Sequence, residues 1–115
     1  MNDTDLLLGI DIGTQGVKCI AINPKGVAIA SHYIENKCIF PSFDRVEADM
    51  WQNWWLNPVL AIHKVLKKPN VKPDAIKGIG ICGLYPAFGP TDAKGNPLAH
   101  AILYSDNRSY QEVYE

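Results

Sequence analysis

Gly9-Ile10-Asp11-Ile12-Gly13-Thr14-Gln15-Gly16-Val17-Lys18 is the stretch on which the fold turns. The apolar run Leu6–Ile12 enters it, and a second β-type run, Val17–Ile22, leaves it. Short runs of Ile, Leu and Val bounded by glycine read as strands. The next break, Asn23-Pro24-Lys25-Gly26, has proline to fix φ and glycine to supply the positive φ that closes a hairpin. Val27–Tyr33 then alternates Val27 and Ile29 with Ala28 and Ala30, a third strand. Strands in sequence joined by tight turns make an antiparallel meander.

Downstream the pattern changes. Glu35–Glu47 reads as irregular, broken by Pro41 and Asp44. Asp49 then reads as a helix N-cap, with Gln52 placed for a capping box. Trp51, Trp54, Trp55, Val59, Ile62, Val65 and Leu66 recur at helical spacing, which predicts an apolar face with the tryptophans in the core. Pro58 either kinks this helix or starts a second one capped by Asn57. Lys67, Lys68 and Pro69 mark its stop, and Lys64, Lys67 and Lys68 suit its C-terminal dipole. Ile76–Leu84 is a fourth strand, Tyr85–Thr91 a bent strand or loop, Asp92–Pro97 a turn and Ala99–Tyr104 a short last strand. Ser105-Asp106-Asn107-Arg108 reads as the start of a helix. The crossover helix makes the fourth strand parallel to the first, so the class is α/β with a mixed sheet.

With 115 residues and a net charge of -1, no face is broadly basic, which argues against a nucleic-acid partner. The acidic start and the short apolar run Leu6–Ile10 fit neither a secretory signal nor a membrane span. Cys19, Cys38 and Cys82 have no metal-ligand or disulfide spacing; Cys19 and Cys82, in apolar runs, read as buried small hydrophobes. Together these features point to a reducing cytoplasm. His32, His63 and His100 are isolated and read as structural.

The chemistry concentrates at the first turn. Asp11 closes an apolar strand, where a buried carboxylate is costly without a cation or donors. Gly13 and Gly16 let backbone approach a ligand, and Thr14 with the turn's N–H groups can form an anion-binding nest. Lys18 stands on the next strand. Such a set suits Mg²⁺ beside phosphate, because magnesium takes one or two carboxylates together with waters and phosphate oxygens. The plainer alternative is a hairpin turn with no ligand. A Walker loop is excluded, since no Gly-Lys-Ser/Thr follows and the next element is a strand. Asp106 and Arg108, after an apolar strand, either fork onto sugar hydroxyls or form a helix cap and a surface ion pair.

The segment Gly9–Lys18 with the Asn23–Gly26 hairpin resembles the start of the FGGY carbohydrate kinases, which include xylulokinase, ribulokinase, gluconokinase and glycerol kinase. The resemblance continues in order through Glu47-Ala48-Asp49-Met50-Trp51 with Trp54-Trp55, Ile76–Gly83, Asp92–Leu98, and Ala101–Arg108. It implies a ribonuclease H-like (actin-like ATPase) fold and ATP-dependent phosphorylation of a sugar or polyol. It also implies that Gly13, Thr14 and Gln15 meet ATP phosphates, that Asp11 orients Mg²⁺, and that Lys18 lies near phosphate. Leu84, Tyr85 and Pro86 would line the sugar pocket with Asp106 and Arg108. These three residues stand where xylulokinase-like members carry Gln-Met-His and glycerol kinase Gln-Arg-Glu, and Tyr104 replaces the usual tryptophan, so the sugar is left open. Family members are several times longer, so residues 1–115 are expected to be the N-terminal part of the first kinase domain. The catalytic base is then expected downstream of Glu115, and homo-oligomers are compatible with this reading. The competing reading is a non-kinase ATPase or nucleotide switch of the actin–hexokinase superfamily. That reading accounts for the Asp11 turn but not for the tryptophan helix or the Asp106–Arg108 segment.

Overall fold

The computed structural model describes residues 2–113 and 115. Its larger sheet contains β1 (Leu6–Ile12), β2 (Gly16–Ile22), β3 (Ala28–Glu35) and β6 (Ile76–Gly83), in the order β3-β2-β1-β6. β1 and β2 are antiparallel, as are β2 and β3, while β6 runs parallel to β1. The expected meander with a parallel fourth strand is therefore present. The Asn23–Gly26 turn closes as its residues dictate, with Gly26 at φ 78° and its N–H donating to the Asn23 carbonyl at 2.9 Å.

Period-two alternation sorts the faces of this sheet. Leu6, Leu8 and Ile10 of β1 and Val17, Cys19 and Ala21 of β2 are buried on one face. Ala61 and Val65 of α1 (Asn57–Leu66) pack against them, with Val71 completing the core. The helix covers β2 and β3 and leaves β6 bare, so Ile79 and Ile81 are 61% and 69% exposed.

The helix keeps part of the expected apolar face, with Val65 buried and Ile62 and Leu66 packed against the core, and corrects its tryptophan end. Trp51 and Trp55 are half-exposed and stack on each other, with ring centroids 6.2 Å apart. The inward stripe is instead Asn53, Asn57, Ala61 and Val65, each four residues from the next. Asp49 does cap the start, accepting from the Gln52 N–H at 2.9 Å. Pro58 stands in the first turn of α1, as a helix-opening proline would, but Asn57 is itself helical and does not cap it. A π-turn, Gln52–Leu56, precedes it, with the Asn57 N–H donating to the Gln52 carbonyl, and the chain stays helical through the junction. The wider turn rotates the two tryptophans off the core side.

Segment 35–47, expected to be irregular, contributes β4 (Cys38–Ile39) and β5 (Glu47–Ala48) to a second small sheet. That sheet has the order β4-β5-β8-β7, with β7 (Ala87–Phe88) and β8 (Ala101–Leu103). Two-residue strands are too short to show periodicity and exist here through tertiary pairing. The Asp92–Pro97 turn forms as read, with Gly95 at φ 85°. Residues 105–108 are turns rather than helix, and α2 spans Tyr110–Val113. Cys82, expected buried, is exposed on the uncovered edge strand, whereas Cys19 is buried.

Candidate phosphate turn and its neighbours

The turn Gly13–Gly16 sits at one end of the larger sheet, closing the β1–β2 hairpin. The Gly13 N–H donates to the Gly16 carbonyl at 2.8 Å. The carbonyls of the turn are held by the chain that follows β3. Asn36 Nδ2 donates to the Gly13 carbonyl at 2.9 Å, and the Asn36 N–H donates to the Gln15 carbonyl at 2.9 Å. The Tyr33 hydroxyl donates to that same Gln15 oxygen at 2.8 Å, and Cys38 Sγ lies 3.9 Å from the Thr14 carbonyl. The Thr14 and Gln15 N–H groups have no acceptor among the described residues. Gly16 leaves room for Tyr33: a Cβ there would displace the end of the Tyr33 ring.

Asp11 and Lys18 are direct cross-strand partners. Both are exposed, and the Asp11 side chain makes no hydrogen bond or ion pair with another described residue. The expectation of a buried Asp11 is corrected. Its end of the strand lies open, so desolvation does not constrain it, and the carboxylate is free to take a hydrated cation. Asp11 and Lys18 border a shallow groove of about 410 Å³ floored by Gly9 and Gly80. No group of three or more His, Cys, Asp or Glu among the described residues is arranged to hold a metal ion. A magnesium site of one carboxylate with waters and phosphate fits this arrangement better than an all-protein cage. A larger cavity, bounded by Asp5, Asn23, Asn70 and Lys72, lies at the opposite end of β1.

Parallel pairing brings the second predicted segment to the same sheet end. Ile12 is in register with Gly83, and the Leu84 N–H donates to the Ile12 carbonyl at 3.0 Å. Leu84, Tyr85 and Pro86 therefore leave β6 beside the turn, with Tyr85 90% exposed.

Asp106 and Arg108 are engaged elsewhere. Asp106 Oδ1 accepts from Arg108 Nε at 2.7 Å, and its Oδ2 accepts from Arg108 Nη2 and the Val46 N–H, each at 2.7 Å. Arg108 Nη2 also reaches Glu47 Oε1 at 2.6 Å, and His100 Nδ1 lies 3.1 Å from Glu47 Oε2. Hydrogen bonds from Arg108 hold the Asp106 carboxyl well below its ordinary range, and Arg108 and His100 lower that of Glu47. The network ties residues 105–108 to β5, and none of its hydrogen bonds goes to Leu84, Tyr85 or Pro86. The residues that sequence reasoning missed are Tyr33, Asn36 and Cys38. Their only signal is position just before and after the end of β3, which becomes meaningful once that strand is placed against the turn.

A family profile described as the N-terminal domain of the FGGY family of carbohydrate kinases matches residues 6–115. The chain belongs to that family. It is 30% identical over 113 residues to the xylulose kinase of Haemophilus influenzae, covering 93% of this chain and 22% of that protein. The glycerol kinase of Leptospira biflexa is also 30% identical, over 110 residues, with 95% and 22% covered. Among solved structures, the xylulose kinase of Rhodospirillum rubrum superposes with a TM-score of 0.86 at 25% identity, covering 95% of this chain and 22% of that one. The FGGY chain thus spans about a fifth of the length of the relatives it matches, and it has their mixed-sheet, actin-like architecture. No helix among the described residues is long and apolar enough to cross a membrane.

Proposed function

We propose that this FGGY chain supplies the phosphate-binding part of an ATP-dependent kinase acting on a sugar or polyol hydroxyl in the cytoplasm. The observation that carries the reading is the Gly13–Gly16 turn. Its carbonyls are held from within the chain, its Thr14 and Gln15 N–H groups are free, and the exposed side chains of Asp11 and Lys18 lie beside it. Phosphoryl transfer asks little covalent chemistry of the protein and depends on positioning and charge stabilisation. Free N–H groups and Lys18 would orient phosphate oxygens. Asp11 would hold hydrated Mg²⁺, which neutralises phosphate charge. Leu84, Tyr85 and Pro86, at the same sheet end, would face the acceptor. In this reading Asp106 and Arg108 act on the sugar side by fixing the β5–β8 sheet rather than by forking onto hydroxyls. Residues 1–115 are the N-terminal part of the first kinase domain, and the base that takes the hydroxyl proton lies outside them.

The test is phosphate transfer from ATP to a panel of pentuloses, hexonates and polyols by a polypeptide that joins this chain to the remaining kinase domains. Turnover with at least one acceptor is expected. ATP hydrolysis that no acceptor stimulates would favour the nucleotide-switch reading instead.

A further inference from the structure

We infer that Asn36 is a positioning residue for the phosphate turn: it fixes the turn by its carbonyls and so leaves the Thr14 and Gln15 N–H groups free to donate to phosphate. The inference rests on reading Gly13–Gly16 as the phosphate turn.

Asn36 is 7% exposed, and both polar atoms of its side chain are hydrogen-bonded. Its side-chain amide donates to the Gly13 carbonyl and its backbone N–H to the Gln15 carbonyl, each at 2.9 Å. It thus grips the turn at two points that flank Thr14. Its own Oδ1 accepts from Asn57 Nδ2 at 2.8 Å, and Asn57 Oδ1 accepts from Gln52 Nε2 at 2.7 Å. Gln52, Asn57 and Asn36 therefore form a series of amides that all donate in one direction, toward the turn. Aligned hydrogen bonds of this kind polarise one another. A turn fixed in this way need not reorganise when an anion arrives, which is the condition for tight anion binding by backbone donors. The series also explains why the helix buries Asn57 where its apolar residues would be expected. Tyr33 adds a second hold on the Gln15 carbonyl from the exposed side of β3.

The experiment titrates ATP and Mg²⁺ into a polypeptide that joins this chain, ¹⁵N-labelled, to the remaining kinase domains, while following the Thr14 and Gln15 amides by NMR. In the wild type both amides shift saturably. Asn36→Ala should raise the Kd roughly three- to tenfold, the worth of about one hydrogen bond. Tyr33→Phe, which removes one exposed donor and leaves Asn36 in place, should raise it about twofold and covers the case in which Asn36→Ala fails to fold. Variants that melt earlier but titrate like the wild type would make the contacts purely structural and overturn the inference. Wild-type Thr14 and Gln15 amides that do not respond to ATP and Mg²⁺ would overturn the reading of the turn itself, and the inference with it.

Discussion

A Cβ at Gly16 has no room while the Tyr33 ring lies over it, and Tyr33 in turn bonds the Gln15 carbonyl. Gly16→Ala should therefore act by displacing Tyr33 rather than by straining the backbone. The expected loss is about 1 kcal/mol, one hydrogen bond. Adding Tyr33→Phe to Gly16→Ala should cost almost nothing more, since the bond is already gone; denaturant titrations of the two single variants and the double variant would show this. Fully additive losses would separate the two residues. At this scale the sequence showed that Gly13 and Gly16 admit a close approach of backbone. It could not show Asn36 or Tyr33 as the turn's supports. Hydrogen bonds between residues 18 and 23 positions apart leave no local pattern. Asp11 was placed correctly at the end of its strand, but its exposure depends on which strands a helix covers.

Elements formed by periodicity were readable, and elements formed by pairing were not. β1, β2, β3 and β6 carry their own apolar runs and turn residues, whereas β4 and β5 are two-residue stretches that exist through β8. Asp49 marks the start of the helix and the spacing of Ile62, Val65 and Leu66 marks its inner face, but that spacing does not extend to Trp51 and Trp55, which lie outward on the far side of the π-turn before Pro58. Two substitutions measure that difference. Leu8→Ala, in the core at 3% exposure, should cost about 3 kcal/mol, and Trp51→Ala, half-exposed and stacked on Trp55, about 1 kcal/mol. A tryptophan costing more than the leucine would return that face to the core. The small sheet makes a prediction about pH. Glu47 and Asp106 have folded pKa values below their unfolded ones, so their contribution is present above the unfolded carboxylate range, near pH 4, and falls away as pH drops below it. Arg108→Met should flatten that acid limb, as followed by melting temperature between about pH 6 and 3. An unchanged limb would assign the acid sensitivity to other carboxylates.

Across the molecule, one sheet end gathers the turn, Asp11, Lys18 and the Leu84–Pro86 segment, while the β6 edge lies beyond the cover of the helix. β6 has an unpaired edge, no proline, a single charged residue in Lys77, and exposed Ile79 and Ile81. The 115-residue chain should pair with a second copy along that edge at high concentration, giving a mass above the monomer by light scattering. Ile81→Lys should restore the monomer; a wild-type chain that stays monomeric would mean the edge is protected. The central claim is that Asp11 and the turn beside it serve phosphate transfer rather than merely closing a hairpin. Asparagine at position 11 keeps the size and loses the charge, and the exposed Asp11 side chain makes no hydrogen bond or ion pair whose loss would destabilise the fold. The most direct measurement compares kcat, acceptor affinity and melting temperature for the wild type and Asp11→Asn in a polypeptide carrying this chain with the remaining kinase domains. The account predicts a kcat lower by roughly 100-fold or more, about 3 kcal/mol of transition-state stabilisation, with acceptor affinity and melting temperature nearly unchanged. A stable Asp11→Asn protein that turns over at the wild-type rate would contradict it.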